Sequence, residues 1–118
     1  GDYVVRNLVG ADEERGLVGI GAPLSRGQPM MFCRRDADTA REDLRARLGV
    51  LKKRLGASPR GAIYCSCVAR GPNLFEKNEE AAMIQDVLGD IPLIGFFGSG
   101  EISNDRLYTQ TGVLSVFL

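Results

Sequence analysis

Gly61-Ala62-Ile63-Tyr64-Cys65-Ser66-Cys67-Val68, with the apolar stretch Ile91-Pro92-Leu93-Ile94-Gly95-Phe96-Phe97 that follows it, decides the fold. The first segment is small and apolar on both alternations, the pattern of a central strand buried on both faces. Gly71-Pro72-Asn73 then starts a loop. Asn78 is placed to cap a helix, with Glu79 and Glu80 in its first turn, where the helix dipole favours acids. Met83, Ile84, Val87 and Leu88 form the buried stripe of that helix, and Gly89 closes it. The second apolar segment is the next strand. Strand, helix and strand make a βαβ unit, whose parallel neighbours are joined by a right-handed crossover. Both strands then end on the same side. Ligands of open α/β sheets bind in the crevice outside those ends. Arg70 and Glu101 each lie just past one of them.

Working outward, residues 3–9, 17–21 and 30–34 read as three closely spaced strands. The polar turn 11–16 and the break from Pro23 to Gly27 join them into an antiparallel meander. The next segment is helical. Thr39 and Glu42 fit a capping box, and Leu44, Leu48, Leu51 and Leu55 recur on one face. Gly56 and Pro59 stop it. Arg41, Arg45, Lys52 and Lys53 lie off the apolar stripe and read as a solvated face. Residues 108–117 give a closing strand. The expected order is β-β-β-α-β-α-β-β, an α+β fold with a mixed β-sheet and helices packed on it.

The chain has 118 residues, enough for one domain with one core, and Gly1 ahead of an apparent strand reads as a domain excised from a longer chain. Fifteen basic residues balance fifteen acidic ones. That argues against a nucleic-acid or anionic-membrane partner, which needs a basic excess. No apolar run approaches the roughly 18–20 residues that span a bilayer. There is no histidine, so this chain contains no Ser-His-Asp triad, Cys-His pair, His-ligated zinc or His-ligated haem. No cofactor is expected. Three cysteines, an odd and sparse set, suit free thiols in a reducing cytoplasm.

The site-like grammar is Gly95-Phe96-Phe97-Gly98-Ser99-Gly100-Glu101-Ile102, an apolar run that ends in alternating glycines and a carboxylate. Arg70 can hold a ligand carboxylate and Glu101 an ammonium. Opposed across one crevice they would suit a zwitterion such as an amino acid. The alternative is a structural ion pair, with each other or with surface charges. Gly98-Ser99-Gly100 could cradle a phosphate, but no lysine follows and Glu101 would repel an anion. A turn into the next strand is favoured. Cys65 and Cys67 share one strand face and read as small packed side chains, with Cys67 placed to line a pocket. Asn104 and Asp105 read as turn formers. An enzyme built on Glu101 or Cys67 ranks last, because no partner in the sequence activates either one.

Three motifs in order carry a family resemblance: Ser66-Cys67-x-x-Arg70-Gly71, then Ile91-Pro92-Leu93-x-Gly95-Phe96-Phe97-Gly98-x-Gly100-Glu101-Ile102, then Thr111-Gly112-Val113-Leu114. The chain resembles the C-terminal domain of the FIST family over essentially its whole length. The resemblance implies a cytoplasmic sensory module of a bacterial signal-transduction protein, working beside an N-terminal FIST domain. It implies a small-molecule ligand, with amino acids the usual suggestion. On the residues above, that ligand would be held by Cys67, Arg70, Gly98, Gly100 and Glu101, with Phe96 and Phe97 as walls. The alternative is a protein-docking module with an exposed apolar patch and no ligand of its own.

Overall fold

The computed structural model describes residues 3–118, which divide into two compact units at Arg34 and Arg35. In the first unit, strands β1 (Leu8–Asp12) and β2 (Leu17–Ile20) form an antiparallel hairpin. The first strand lies later than expected, so Ala11 and Asp12 are strand rather than turn. The reversal is made by Gly16 in the left-handed region (φ 62°), with the Asp12 carboxylate accepting the Arg15 N–H at 3.0 Å. Residues 30–34 form no strand, which corrects the expected three-stranded meander to a hairpin. Their β-prone side chains follow Pro29 and stand exposed, and a strand needs a paired neighbour as well as a propensity.

The second unit carries the core. Helix α1 (Ala37–Arg54) begins one turn earlier than the Thr39 capping box required. Asp36 is its N-cap and accepts the Thr39 N–H at 2.9 Å, so Thr39 is the residue being capped. Leu44 and Leu48 are buried from this helix, and Leu55, its C-cap, packs at the core margin. Strand β3 (Gly61–Cys67) follows, then a single helical turn, α2 (Gly71–Leu74), where a loop was expected. Pro72 explains the turn: it is favoured at the start of a helix, where its missing N–H costs nothing. Helix α3 (Glu79–Leu88) buries Met83, Ile84 and Leu88, with Ile84 fully inaccessible at 0%. Asn78 does occupy its N-cap, but with a left-handed backbone (φ 64°) and no side-chain bond. The Glu79 carboxylate instead reaches back to the Glu76 N–H at 2.8 Å.

Strand β4 (Leu93–Gly98) pairs with β3 in parallel, Ala62 opposite Leu93 and Cys67 opposite Gly98. This is the βαβ unit read from the sequence. The expected closing strand is split. A tight hairpin of β5 (Glu101–Ser103) and β6 (Arg106–Tyr108) turns at Asn104 and Asp105, as their residue types foretold. Strand β7 (Gly112–Phe117) then returns antiparallel to β3. The main sheet is therefore mixed, in the order β4-β3-β7, and the chain is α+β.

Strand alternation sorts this sheet into two unlike faces. Ala62, Tyr64, Leu93, Leu114 and Val116 pack with α1 and α3 into one hydrophobic cluster. The opposite face carries Ile63, Ile94, Phe96 and Phe117, all exposed, with Ile94 at 71% and Phe96 at 66%. The expectation that β3 is buried on both faces is thus corrected: within this unit the second face is open at Ile63 and is closed only at the strand's end, by Cys67. A run of apolar residues on both alternations reports what a strand can bury, not what is present to bury it.

Candidate functional site

At the C-terminal end of β3 the chain turns with the Arg70 N–H bonded to the Cys67 carbonyl at 2.8 Å, then enters α2. Arg70 is N-cap to that turn, and its guanidinium lies over the Phe75 ring at 4.9 Å. The Arg70 Nε donates to Glu80 Oε1 at 2.9 Å. Glu80 projects from the first turn of α3 and is only 6% exposed. It also accepts the Tyr64 hydroxyl at 2.6 Å and the Ser66 hydroxyl at 2.9 Å. Tyr64 and Ser66 are two apart on β3 and so face the same helix. One carboxylate thereby collects three donors, the condition for keeping a charge in a core. Burial, then the adjacent Glu80 carboxylate, push the Tyr64 phenol well above its ordinary range, so it stays protonated and donating.

Glu101 lies next to this network, 3% exposed at the start of β5. Its Oε2 accepts the Thr111 hydroxyl at 2.8 Å. Its Oε1 is a buried polar atom with no hydrogen-bond partner, the one such side-chain atom found among the described residues. Desolvation raises its pKa; the Thr111 bond and the Arg70 charge oppose this, and the Glu80 charge reinforces it. Arg70 therefore bears on both carboxylates, but its hydrogen-bonded ion pair is with Glu80, not Glu101. Cys67 is buried on the other face of β3 at its end, its N–H bonded to the Thr111 carbonyl at 2.9 Å. Gly98 is its neighbour on β4. Gly100 lies in the link between β4 and β5, where an added Cβ would come within 2.9 Å of the Tyr108 carbonyl. That close approach is why glycine stands there.

A cavity of about 580 Å³ opens over the covered face of the sheet at the edge strand β4. Buried Tyr64, Ser66 and Glu80 form its polar inner end. Phe75, Pro72 and Phe97 wall it. Gly71 is fitted to that wall, since a Cβ there would overlap the Phe97 ring. Exposed Lys77, Asn78 and Gln85 stand around the mouth. Of the residues expected at a site, Phe96 and Phe97 border this cavity; Cys67, Arg70, Gly98, Gly100 and Glu101 do not line it. Arg70 is tied to it by the ion pair with Glu80, whereas Glu101 is linked to that pair by charge alone. Another cavity, of about 430 Å³ beside Lys52 and Pro59, is lined by no buried polar side chain.

Glu80, Tyr64 and Ser66 went unread as site residues, though the signal was present. Glu80 falls in register with Met83, Ile84 and Val87, which puts a carboxylate on the buried stripe of a helix. A charge at that position has to find donors, and the alternate positions of β3 facing α3 hold two hydroxyls.

Comparison with known proteins agrees with these motifs. Residues 1–104 match the model of the FIST C domain. The chain belongs to the FIST C domain family. Over 123 aligned residues it is 36% identical to an uncharacterised protein of Mycobacterium tuberculosis strain H37Rv and 40% identical to one of Mycobacterium bovis. Each alignment covers all of this chain and 32% of the relative, so the chain spans about a third of the relatives' length. Those alignments include β7 and Thr111, which lie beyond the stretch matched to the family. No solved structure matches the chain. FIST domains are linked with sensory roles in signal transduction, and FIST C domains pair with an N-terminal FIST domain in full-length proteins. Among the described residues, no helix is long and apolar enough to cross a membrane.

Proposed function

We propose that this chain is the small-ligand-binding part of a sensory protein, and that its ligand enters the cavity between β4 and α3. The observation that carries the reading is the buried Tyr64–Ser66–Glu80 cluster at the end of an aromatic-walled cavity. Ligand sites are mostly apolar with a few convergent polar groups, and a volume in the range of about 300–1,000 Å³ suits a metabolite. An amino acid, the ligand class implied by the family resemblance, fits within it. Arg70 and Glu101 support the site from behind, which makes them positioning residues. The domain binds without transforming its ligand: the hydroxyls of the cluster already donate to Glu80, and neither is poised as a nucleophile. Free Cys33, Cys65 and Cys67 suit a reducing, cytoplasmic setting. The test is a thermal-shift screen of amino acids and other small metabolites, followed by calorimetry of the hits. Binding that is unchanged in Phe97→Ala would place the ligand elsewhere.

A second reading rests on a separate observation, the bare sheet face of Ile63, Ile94, Phe96 and Phe117. Parallel strand pairs are ordinarily covered on both faces. The mycobacterial relatives carry some two-thirds of their length outside the matched stretch. We propose that an apolar surface of an N-terminal FIST domain packs on this face. Ligand site and docking face meet at the edge strand β4, where Ile94 and Phe96 belong to the open face and also border the cavity. Expressed with such a domain, Phe117→Glu should abolish association measured by sedimentation. Association unchanged by that charge would remove this face from the interface.

A further inference from the structure

The hydrogen-bond accounting of the cavity says which end of a ligand goes in first. A neutral hydroxyl has one proton to donate and two lone pairs to accept with. The Tyr64 proton is directed at Glu80 Oε1 and the Ser66 proton at Glu80 Oε2. Glu80 is a carboxylate held by an arginine, so it has no proton to offer. What these three side chains can still present to a cavity occupant is oxygen lone pairs. The one donor-only side chain on the lining is Lys77, at the exposed mouth, beside the acceptor-only Glu76 carboxylate and the amides of Asn78 and Gln85, which can turn either way. The Arg70 guanidinium, although close behind Glu80, does not line the cavity. Charge points the same way. Arg70 offsets Glu80, so an anion at the inner end gains no net attraction and meets only acceptor side chains.

We infer that the cavity takes ligands with a hydrogen-bond-donor head, a primary ammonium or a hydroxyl, carried on a flat apolar body, with any acid group facing outward to Lys77. The head lies against Tyr64, Ser66 and Glu80, and the body lies between Phe75 and Phe97. An amino acid would enter with its ammonium inward and its carboxylate at the mouth. This inference rests on the proposed ligand site and adds the polarity of that site to it.

Three single-ring probes of equal size separate the possibilities: benzylamine, benzyl alcohol and benzoate. Each is titrated at millimolar concentration into the 15N-labelled 118-residue chain, with amide shifts followed by NMR. The expected result is saturable shifts at Ser66, Glu80 and Phe97 with benzylamine and benzyl alcohol, and none with benzoate. Ser66→Ala, which removes one acceptor from the inner end, should weaken the benzylamine shifts about fivefold, the effect of roughly one hydrogen bond. Benzoate shifting the same amides as strongly as the other two would overturn the donor-head inference and leave the cavity as a ligand site. Shifts confined to the open face, at Ile63 and Phe117, or no shifts from any probe, would overturn the inference and the cavity reading together.

Discussion

Glu80→Ala is the perturbation that weighs the buried network most directly. Wild-type Glu80 accepts Tyr64, Ser66 and Arg70 at 2.6, 2.9 and 2.9 Å while only 6% exposed. Truncation leaves two buried hydroxyls without an acceptor and a largely buried guanidinium without its counterion. Removing one partner of a buried ion pair costs about 3–5 kcal/mol. Arg70 keeps some solvent contact, with 12% of its side chain exposed. That places the expected loss near the middle, at about 4 kcal/mol, a large part of the ~5–15 kcal/mol that holds a domain together. With a urea slope of about 1.5 kcal/mol per molar, the unfolding midpoint should fall by roughly 2.5 M. Glu80→Gln keeps the shape and should lose about half as much, and Tyr64→Phe, which deletes one bond to a charged acceptor, about 1.5 kcal/mol. A double-mutant cycle of Arg70→Ala with Glu80→Ala then isolates the pair, with an expected coupling of about 2 kcal/mol. A loss under about 1 kcal/mol for Glu80→Ala, or additive costs in the cycle, would refute the view that one carboxylate organises this end of the domain.

Glu101 should make stability depend on pH in the opposite sense from most carboxylates. Its folded pKa is raised by burial, so between its ordinary value and that raised value the unfolded chain binds fewer protons than the folded one. Wild type should therefore lose stability relative to Glu101→Gln as pH rises through that window, and a urea-midpoint difference that stays flat with pH would contradict it. Glu79 behaves conventionally. The Arg41 guanidinium donates to it at 2.5 and 3.1 Å and holds its carboxyl down at about 2. Its stabilising contribution is present above the ordinary carboxylate value and is lost as pH falls toward about 2. A carboxyl-carbon NMR titration of Glu79 should show that midpoint, and Arg41→Ala should raise it, with the Glu76 N–H still holding the carboxyl down in part. Gly112→Ala would drive a Cβ into the Tyr64 hydroxyl, so it should cost about 1–3 kcal/mol and shift the Tyr64 ring resonances; a silent substitution would mean the ring is not seated on Gly112.

The βαβ unit was legible because its signals are local: a small apolar strand, an acidic helix start, a stripe at helical spacing and a second apolar run. The hairpin at Asn104 and Asp105 was legible as a turn for the same reason. Residues 30–34 were misread because strand formation is a pairing event, and nothing in Met30-Met31-Phe32 states whether a partner exists. The helix start moved from Thr39 to Asp36 because both residue types cap, and only backbone geometry chooses between them. The site was half legible. Arg70 and Glu101 were placed by the end-of-strand rule, and they do lie in one electrostatic neighbourhood. Their intermediary, Glu80, was read only as a favourable charge in a first helical turn. The helix dipole and the buried network both favour an acid there, and composition alone does not separate the two.

The two proposed surfaces share a single strand, and that bears on how a sensory domain would work. On β4, Phe97 projects on the covered side of the sheet and Phe96 on the open side, because successive side chains of a strand alternate, and both border the cavity at this edge. Gly95 sits on the same strand against the Tyr64 carbonyl, too close for any Cβ. The strand is thus pressed onto β3 beside Tyr64, the residue whose hydroxyl anchors the inner end of the cavity. Coupling between sites needs a physical element that both sites bias. Here that element is one edge strand, with hydrogen-bonded neighbours on one side and none within the main sheet on the other. A ligand that wedges against Phe97 and a partner that covers Phe96 act on adjacent residues of the same backbone. By linkage, whatever ligand binding does to docking, docking must do to ligand affinity by the same factor. A Phe117→Glu chain, charged on the open face away from the cavity lining, should then show the ligand affinity of the undocked domain whether or not its N-terminal partner is present.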